Sequence, residues 1–127
     1  MDELVEQNES ILNSVKTIIG IDECNKDFDP DLVLAINAVL FIIYQEGLSD
    51  KPYRIHDWST TWSEVLIKDK SIDLETLITW TGLKVKQIFD PPTSSILAEA
   101  LKNTLAELEW RGFITQNYVG EIGEIYD

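Results

Sequence analysis

The chain has 127 residues, 44% of them hydrophobic, and its 23 acidic side chains against 10 basic ones leave a formal net charge of −13. That length and apolar share suit one globular domain with a real core and exclude a disordered chain. The negative charge repels phosphates and argues against a conventional DNA- or RNA-binding module; it fits a nucleic-acid mimic, a protein that stands near DNA without adhering to it, or a surface kept charged for solubility.

Residues 1–8 are acidic and without periodicity and read as a frayed end. No basic stretch followed by an apolar one opens the chain, so the reading is cytoplasmic synthesis without a secretory signal. Glu9 to Ile19 is the first predicted helix: Ile11, Leu12, Val15, Ile18 and Ile19 share one face, and Gly20 ends it. An acidic loop follows, holding the lone Cys24, which has no internal disulfide partner. Asp29-Pro30-Asp31 is a helix start, with an acidic cap and proline at the first helical position. From Leu32 to Tyr44 the sequence runs LVLAINAVLFIIY, with Asn37 its one fully polar side chain. A helix apolar on every side predicts that other helices wrap it. This run of 13 residues falls short of the roughly 20 that span a bilayer. Gly47 closes it.

Leu48 to Asp57 reads as an irregular segment opened by turn chemistry at Ser49-Asp50-Lys51-Pro52. Thr61 and Glu64 have capping-box spacing before a short helix predicted over 61–67. Trp58 and Trp62, four residues apart, either anchor this segment on the bundle or offer an exposed contact to a partner. The next predicted helix, Asp73 to Phe89, carries the stripe Leu74, Leu77, Ile78, Thr81, Val85 and Ile88. Gly82 in its middle costs about 1 kcal/mol against alanine and marks close helix approach or a hinge. Asp90-Pro91-Pro92 stops the helix, and Thr93-Ser94-Ser95 starts another, with Leu97, Leu101, Leu105 and Leu108 as its stripe. After Gly112 the character changes: Phe113 to Val119 is β-prone and Gly-Glu-Ile then recurs. This reads as a tail that docks on its own bundle or a neighbour, or stays disordered.

No chemical site emerges. The sequence holds no glycine-rich phosphate loop and no His–Glu pair at metal spacing. His56 is the single histidine and has no recognisable nucleophile motif to serve. Glu107 and Glu109, two apart on a helix, point in different directions. The expectation is therefore no catalytic, cofactor-binding or metal-binding residue.

Leu83-Lys84-Val85-Lys86-Gln87-Ile88-Phe89-Asp90-Pro91-Pro92-Thr93-Ser94-Ser95, followed by Ala106-Glu107-Leu108-Glu109-Trp110-Arg111, resembles the head–tail connector (adaptor) family of long-tailed bacteriophages. The order of the earlier elements fits too, so the resemblance covers about Ile11 to Arg111, and the segment after Gly112 departs from it. The resemblance implies an all-α fold, a compact bundle of about four to five helices around the central apolar helix 29–46. It divides the chain into a helical connector domain, 1–111, and a flexible C-terminal tail, 112–127. It further implies a structural protein without enzymatic activity, resident in the virion at the head–tail interface after synthesis in the host bacterial cytoplasm. Its implied partners are other copies of itself in a ring, twelvefold in the virion, the portal, and a stopper or tail-completion protein. DNA passes through the lumen without specific binding, and no membrane is involved. Candidate assembly residues are Trp58, Trp62, Asp90, Pro91, Pro92, Trp110, Arg111, Phe113 and Tyr118. The competing reading is an acidic DNA mimic that inhibits a nucleic-acid enzyme.

Overall fold

The computed structural model describes residues 9–65 and 73–111, which form four α-helices and one 3-10 turn: α1 (Ile11–Ile19), α2 (Asp29–Gln45), the 3-10 turn Trp62–Glu64, α3 (Leu74–Phe89) and α4 (Ser95–Arg111). No strand occurs among the described residues; one isolated antiparallel bridge joins Ser10 to Thr61. The all-α bundle expected from the sequence is present.

Local chemistry sets the ends of each element. Ser10 caps α1, its hydroxyl oxygen accepting from the Asn13 amide at 3.2 Å. Gly20 and Gly47 take the left-handed conformation, with φ of 86° and 81°. Each lets the following amide reach back to an orphan carbonyl: Ile21 N–H to Lys16 O at 2.8 Å, and Leu48 N–H to Ile43 O at 3.1 Å. The start of α2 departs from expectation. Asp29 is already helical, Phe28 holds the cap position without a side-chain hydrogen bond, and the Asp29 carboxylate turns to Lys16 instead. The capping box at Thr61 forms as the spacing predicts: the Thr61 amide donates to the Glu64 carboxylate at 2.7 Å. The turn there covers only Trp62–Glu64 and ends at Val65, whose backbone is extended, so the helix expected over 61–67 is cut short; residues 66 and 67 lie outside the described residues.

Packing gives α2 and α3 different roles. α2 contributes the most buried side chains, among them Leu32, Ile36, Val39, Leu40 and Ile43. α3 is the element against which α1, α2 and α4 all pack. Its middle is accordingly buried around most of its circumference, at Leu77, Ile78, Trp80, Thr81, Gly82 and Val85. Trp80, outside the stripe read from the sequence, is the largest fully buried side chain. Fully burying each aliphatic chain contributes about 1.5–3 kcal/mol relative to exposure.

Two expectations are settled at the contacts. A Cβ on Gly82 would lie 2.6 Å from Cδ1 and 2.8 Å from Cβ and Cγ2 of Ile18. Gly82 therefore marks the close approach of α1 and α3, as one of its two readings required. α2, by contrast, is not wrapped on every side. Leu34 is 68% exposed and Phe41 46%, and Tyr44 faces solvent beside them. Among the helices α3 and α1 pack on α2, and the irregular segment around Ile55 covers a further part, which leaves the side bearing Leu34 and Phe41 open.

α4 is the least embedded helix. Leu105 is its one buried apolar side chain among those described, with Leu101 and Leu108 packed against the core beside it. Leu97, placed on that stripe by the sequence, is 61% exposed, and Ile96 is 79% exposed. The stripe drifts because a four-residue repeat runs ahead of the 3.6-residue turn.

Candidate functional site

The irregular segment between α2 and the 3-10 turn is the most elaborated part of the surface, and a buried amide organises it. Asn37 on α2 faces inward, and its side chain pairs with the backbone of Ile55 like one rung of a ladder. The Ile55 amide donates to Asn37 Oδ1 at 2.7 Å, and Asn37 Nδ2 donates to the Ile55 carbonyl at 3.0 Å. Two buried bonds to one residue hold the segment in a single place, and buried Leu48 and Ile55 plug its two ends into the core. Lys51 lies 5.1 Å from the centroid of the Tyr53 ring. The Tyr53 hydroxyl reaches Asp50 Oδ1 at 2.5 Å.

Beyond Ile55 the chain turns at Asp57, whose carboxylate accepts from the Ser59 amide at 2.8 Å and the Ser59 hydroxyl at 2.5 Å. Those two bonds, the hydroxyl first, hold the Asp57 carboxyl below its ordinary value, with a smaller contribution from the charge of His56. The turn presents Trp58, 57% exposed. Four residues on, Trp62 does the opposite. It is buried, and its indole N–H donates to Ser14 Oγ at 3.1 Å, while that hydroxyl donates to the Ser10 carbonyl at 2.7 Å. Backbone bonds from Ile11 N–H to Thr60 O and from Trp62 N–H to Glu9 O, at 3.0 and 3.2 Å, fasten the same stretch to the start of α1. The two tryptophans thus divide the roles left open by the sequence: Trp62 anchors, and Trp58 is displayed on a fixed turn.

The second fixed feature is the acidic loop before α2. Lys16 is buried, and its ammonium meets Asp29 Oδ1 at 2.5 Å, the Asn25 carbonyl at 2.9 Å and the Glu23 carbonyl at 3.3 Å. One cation thereby gathers three oxygens and sets the loop against α1. No sequence pattern marked Lys16, which falls on the apolar face of an amphipathic helix. Its one available signal was that position, a charge at the four-residue step from Leu12.

The corner at Asp90-Pro91-Pro92 is exposed except for half-buried Pro92. The Asp90 amide still bonds the Lys86 carbonyl at 2.8 Å, and Phe89 packs edge-on against Phe28 with centroids 5.7 Å apart, so the corner is tied to the start of α2. Ser94 then restarts the chain: its carbonyl accepts from the Ala98 amide at 2.9 Å. Trp110 and Arg111 fall in the last turn of α4, with side chains beyond the described set, and Phe113 and Tyr118 lie outside the described residues altogether.

Between these features runs the exposed face of α2. Leu34, Ala38 and Phe41 follow one another at four and three residues, large–small–large, with a shallow groove on either side. One, of about 400 Å³, is lined by Asp31, Leu34, Ala35, Ala38, Ile88 and Phe89. The other, of about 420 Å³, is lined by Leu34, Asn37, Ala38, Phe41, Pro52, Tyr53 and Arg54. Sequence reading missed this surface because it assigned the whole circumference of α2 to the core. Among the described residues no group of three His, Cys, Asp or Glu side chains is placed to hold a metal ion, and no helix is long and apolar enough to cross a membrane. His56 is exposed, and its neighbour Asp57 is engaged by Ser59. What the surface offers is fixed apolar and aromatic projections, the chemistry of contact between proteins.

Comparison with known proteins gives the context for such a surface. Searches of curated proteins and of solved structures return no match. A family model described as phage connector protein matches residues 11–119. That span covers all four helices and continues past Arg111, so the first residues of the segment set apart as a tail fall within the family's extent. Spanning most of the sequence from the first helix onward, the match shows that the chain belongs to the phage connector proteins, structural components of the virion.

Proposed function

We propose that this chain is a head–tail connector subunit. In this reading its copies form a ring between the portal and a stopper or tail-completion protein, extend the channel through which DNA passes, and carry out no catalysis. The observation that carries the reading is the family match over residues 11–119. The surface supports it: a ring needs two different complementary patches on each subunit and a third toward the portal or stopper. The net charge of −13 suits a channel wall that must not retain phosphates. In a virion component the axial partners meet preformed projections, and Trp58 on its Asp57–Ser59 turn is the aromatic anchor we assign to that contact.

Electron microscopy of the purified protein, alone and mixed with its portal, is the deciding experiment. Rings, or a collar added to the portal, are expected; no collar at any protein concentration refutes the reading. Within it, Trp58→Ala should leave the melting temperature unchanged while weakening capture by the portal or stopper at least tenfold. Trp62→Ala should unfold the protein more readily, by about 3–5 kcal/mol, through the cavity it leaves. Equal effects of the two substitutions on stability would contradict the division of roles.

A further inference from the structure

α4 is held to the subunit differently from the other helices. α3 is the helix on which it packs, and Leu105 is the one apolar side chain it buries among those described, with Leu101 and Leu108 partly covered beside it. Its first turn adds little to the attachment, since Ile96 and Leu97 face solvent. The remaining helices are tied to one another by other means. The clasps Lys16–Asp29, Asn37–Ile55 and Trp62–Ser14 join α1, α2 and the segment leading to the 3-10 turn, and the approach of Gly82 to Ile18 joins α1 to α3. Each of these ties stands without α4.

The connection between α3 and α4 leaves room to turn. Up to Asp90 the chain is fixed: Phe89 packs edge-on against Phe28, and the Asp90 amide bonds the Lys86 carbonyl at 2.8 Å. Pro91 and Pro92 then have no N–H to anchor them, and residues 91–94 are exposed apart from half-buried Pro92. Backbone rotation in this stretch moves α4 without moving the end of α3.

We propose that α4 is a strap, which swings off α3 about residues 91–94 as one cooperative unit while α1, α2 and α3 stay packed. An element with so little buried apolar surface opens well before the whole chain unfolds. Released from α3, a helix of 17 residues is marginal in water, so its amides lose their protection together. Opening uncovers Leu101, Leu105 and Leu108 with the side of α3 they cover. The turn that carries Trp58 is tied to α1 and α2, so it keeps its place while the strap moves. This is a property of the single subunit and holds whether or not copies form a ring.

Native-state hydrogen exchange of the full-length protein, read amide by amide by NMR in low urea, tests it. Amides in the middle of α4, from Leu101 to Leu105, should exchange about tenfold or more faster than those of Ile36 to Leu40 in α2. They should also share one urea dependence, shallower than that of α2 because less surface is exposed. Fast exchange confined to the ends of α4, with α2-like rates from Leu101 to Leu105, is fraying and overturns the strap. Val39→Ala, in the core of α2, separates local from global opening: it should speed exchange across α2 and leave the α4 amides unchanged. Ile36→Val, a milder change in the same core, serves in its place if Val39→Ala does not fold. Equal acceleration of both helices means that α4 opens only when the whole chain unfolds, and likewise overturns the strap.

Discussion

A buried lysine is expensive unless its charge is met, and Lys16 meets three oxygens, only one of which carries a negative charge. The two partners of the ion pair are unequally placed. The Lys16 side chain is 1% exposed and that of Asp29 22%. Removing Asp29 strands a cation in the interior; removing Lys16 leaves a carboxylate that water can reach. Asp29→Ala should therefore destabilise by about 3–5 kcal/mol and Lys16→Met by about 1–3 kcal/mol in urea unfolding. The reverse order would show that the loop carbonyls, not the carboxylate, carry the stabilisation. At Asp57 hydrogen bonds, not an ion pair, meet the charge. Its carboxyl is held below the ordinary value of 3.8 by the Ser59 hydroxyl and amide. Because the folded-state value is the lower one, the turn's stabilisation is fully present above the ordinary carboxylate range and is lost as pH falls through the folded-state value. Trp58 fluorescence should stay flat from pH 8 to about pH 5 and change only below about pH 4. Ser59→Ala should move that change upward, toward the ordinary value.

Helix contacts are set by very few side chains. Gly82 gains nothing as a helix former and costs about 1 kcal/mol against alanine, yet no alanine fits there. Its Cβ would fall within 2.8 Å of Ile18 Cβ, an atom close to the backbone that cannot swing aside. Gly82→Ala should thus destabilise by about 1–3 kcal/mol despite the gain in propensity. Ile18→Ala in the same chain should recover part of that loss, a coupling that a double-mutant cycle in thermal denaturation reads directly. Additive effects would mean that α1 and α3 do not meet at this pair. α2 illustrates the opposite limit. Its start follows an ion pair rather than the cap that Asp29-Pro30-Asp31 suggests, because a carboxylate gains more from a buried ammonium than from an exposed helix amide.

For the whole molecule, charge and packing act against each other. A net charge of −13 on 127 residues drives the folded chain apart, while the Lys16–Asp29 ion pair is shielded from salt by burial of the ammonium. Raising ionic strength from about 0.01 to 0.15 M shortens the Debye length from roughly 30 to 8 Å. The melting temperature should rise over that range; a fall would mean that surface ion pairs, not repulsion, dominate the electrostatics. The same repulsion opposes contact between copies, so a subunit that assembles needs apolar patches large enough to overcome it. Leu34, Phe41, Ile96 and Leu97 are such residues on this surface.

The sequence by itself determined the helices, their stops at Gly20, Gly47 and Asp90-Pro91-Pro92, and the capping box at Thr61. Each follows from backbone conformation or a bond within a few residues, which local chemistry settles. It also carried the family, through the stretch around Asp90-Pro91-Pro92 and the helix ending at Trp110-Arg111, later matched over residues 11–119. Only the tertiary structure decided which sides of those helices are covered. Periodicity shows that a helix has an apolar face but not how many neighbours arrive to bury it. For that reason α2 looked enclosed while Leu34 and Phe41 are exposed, and the stripe read on α3 left out Trp80, which is buried. The separate fates of Trp58 and Trp62 had the same origin. Two identical side chains four residues apart differ only in what lies across from them: Ser14 for one and solvent for the other.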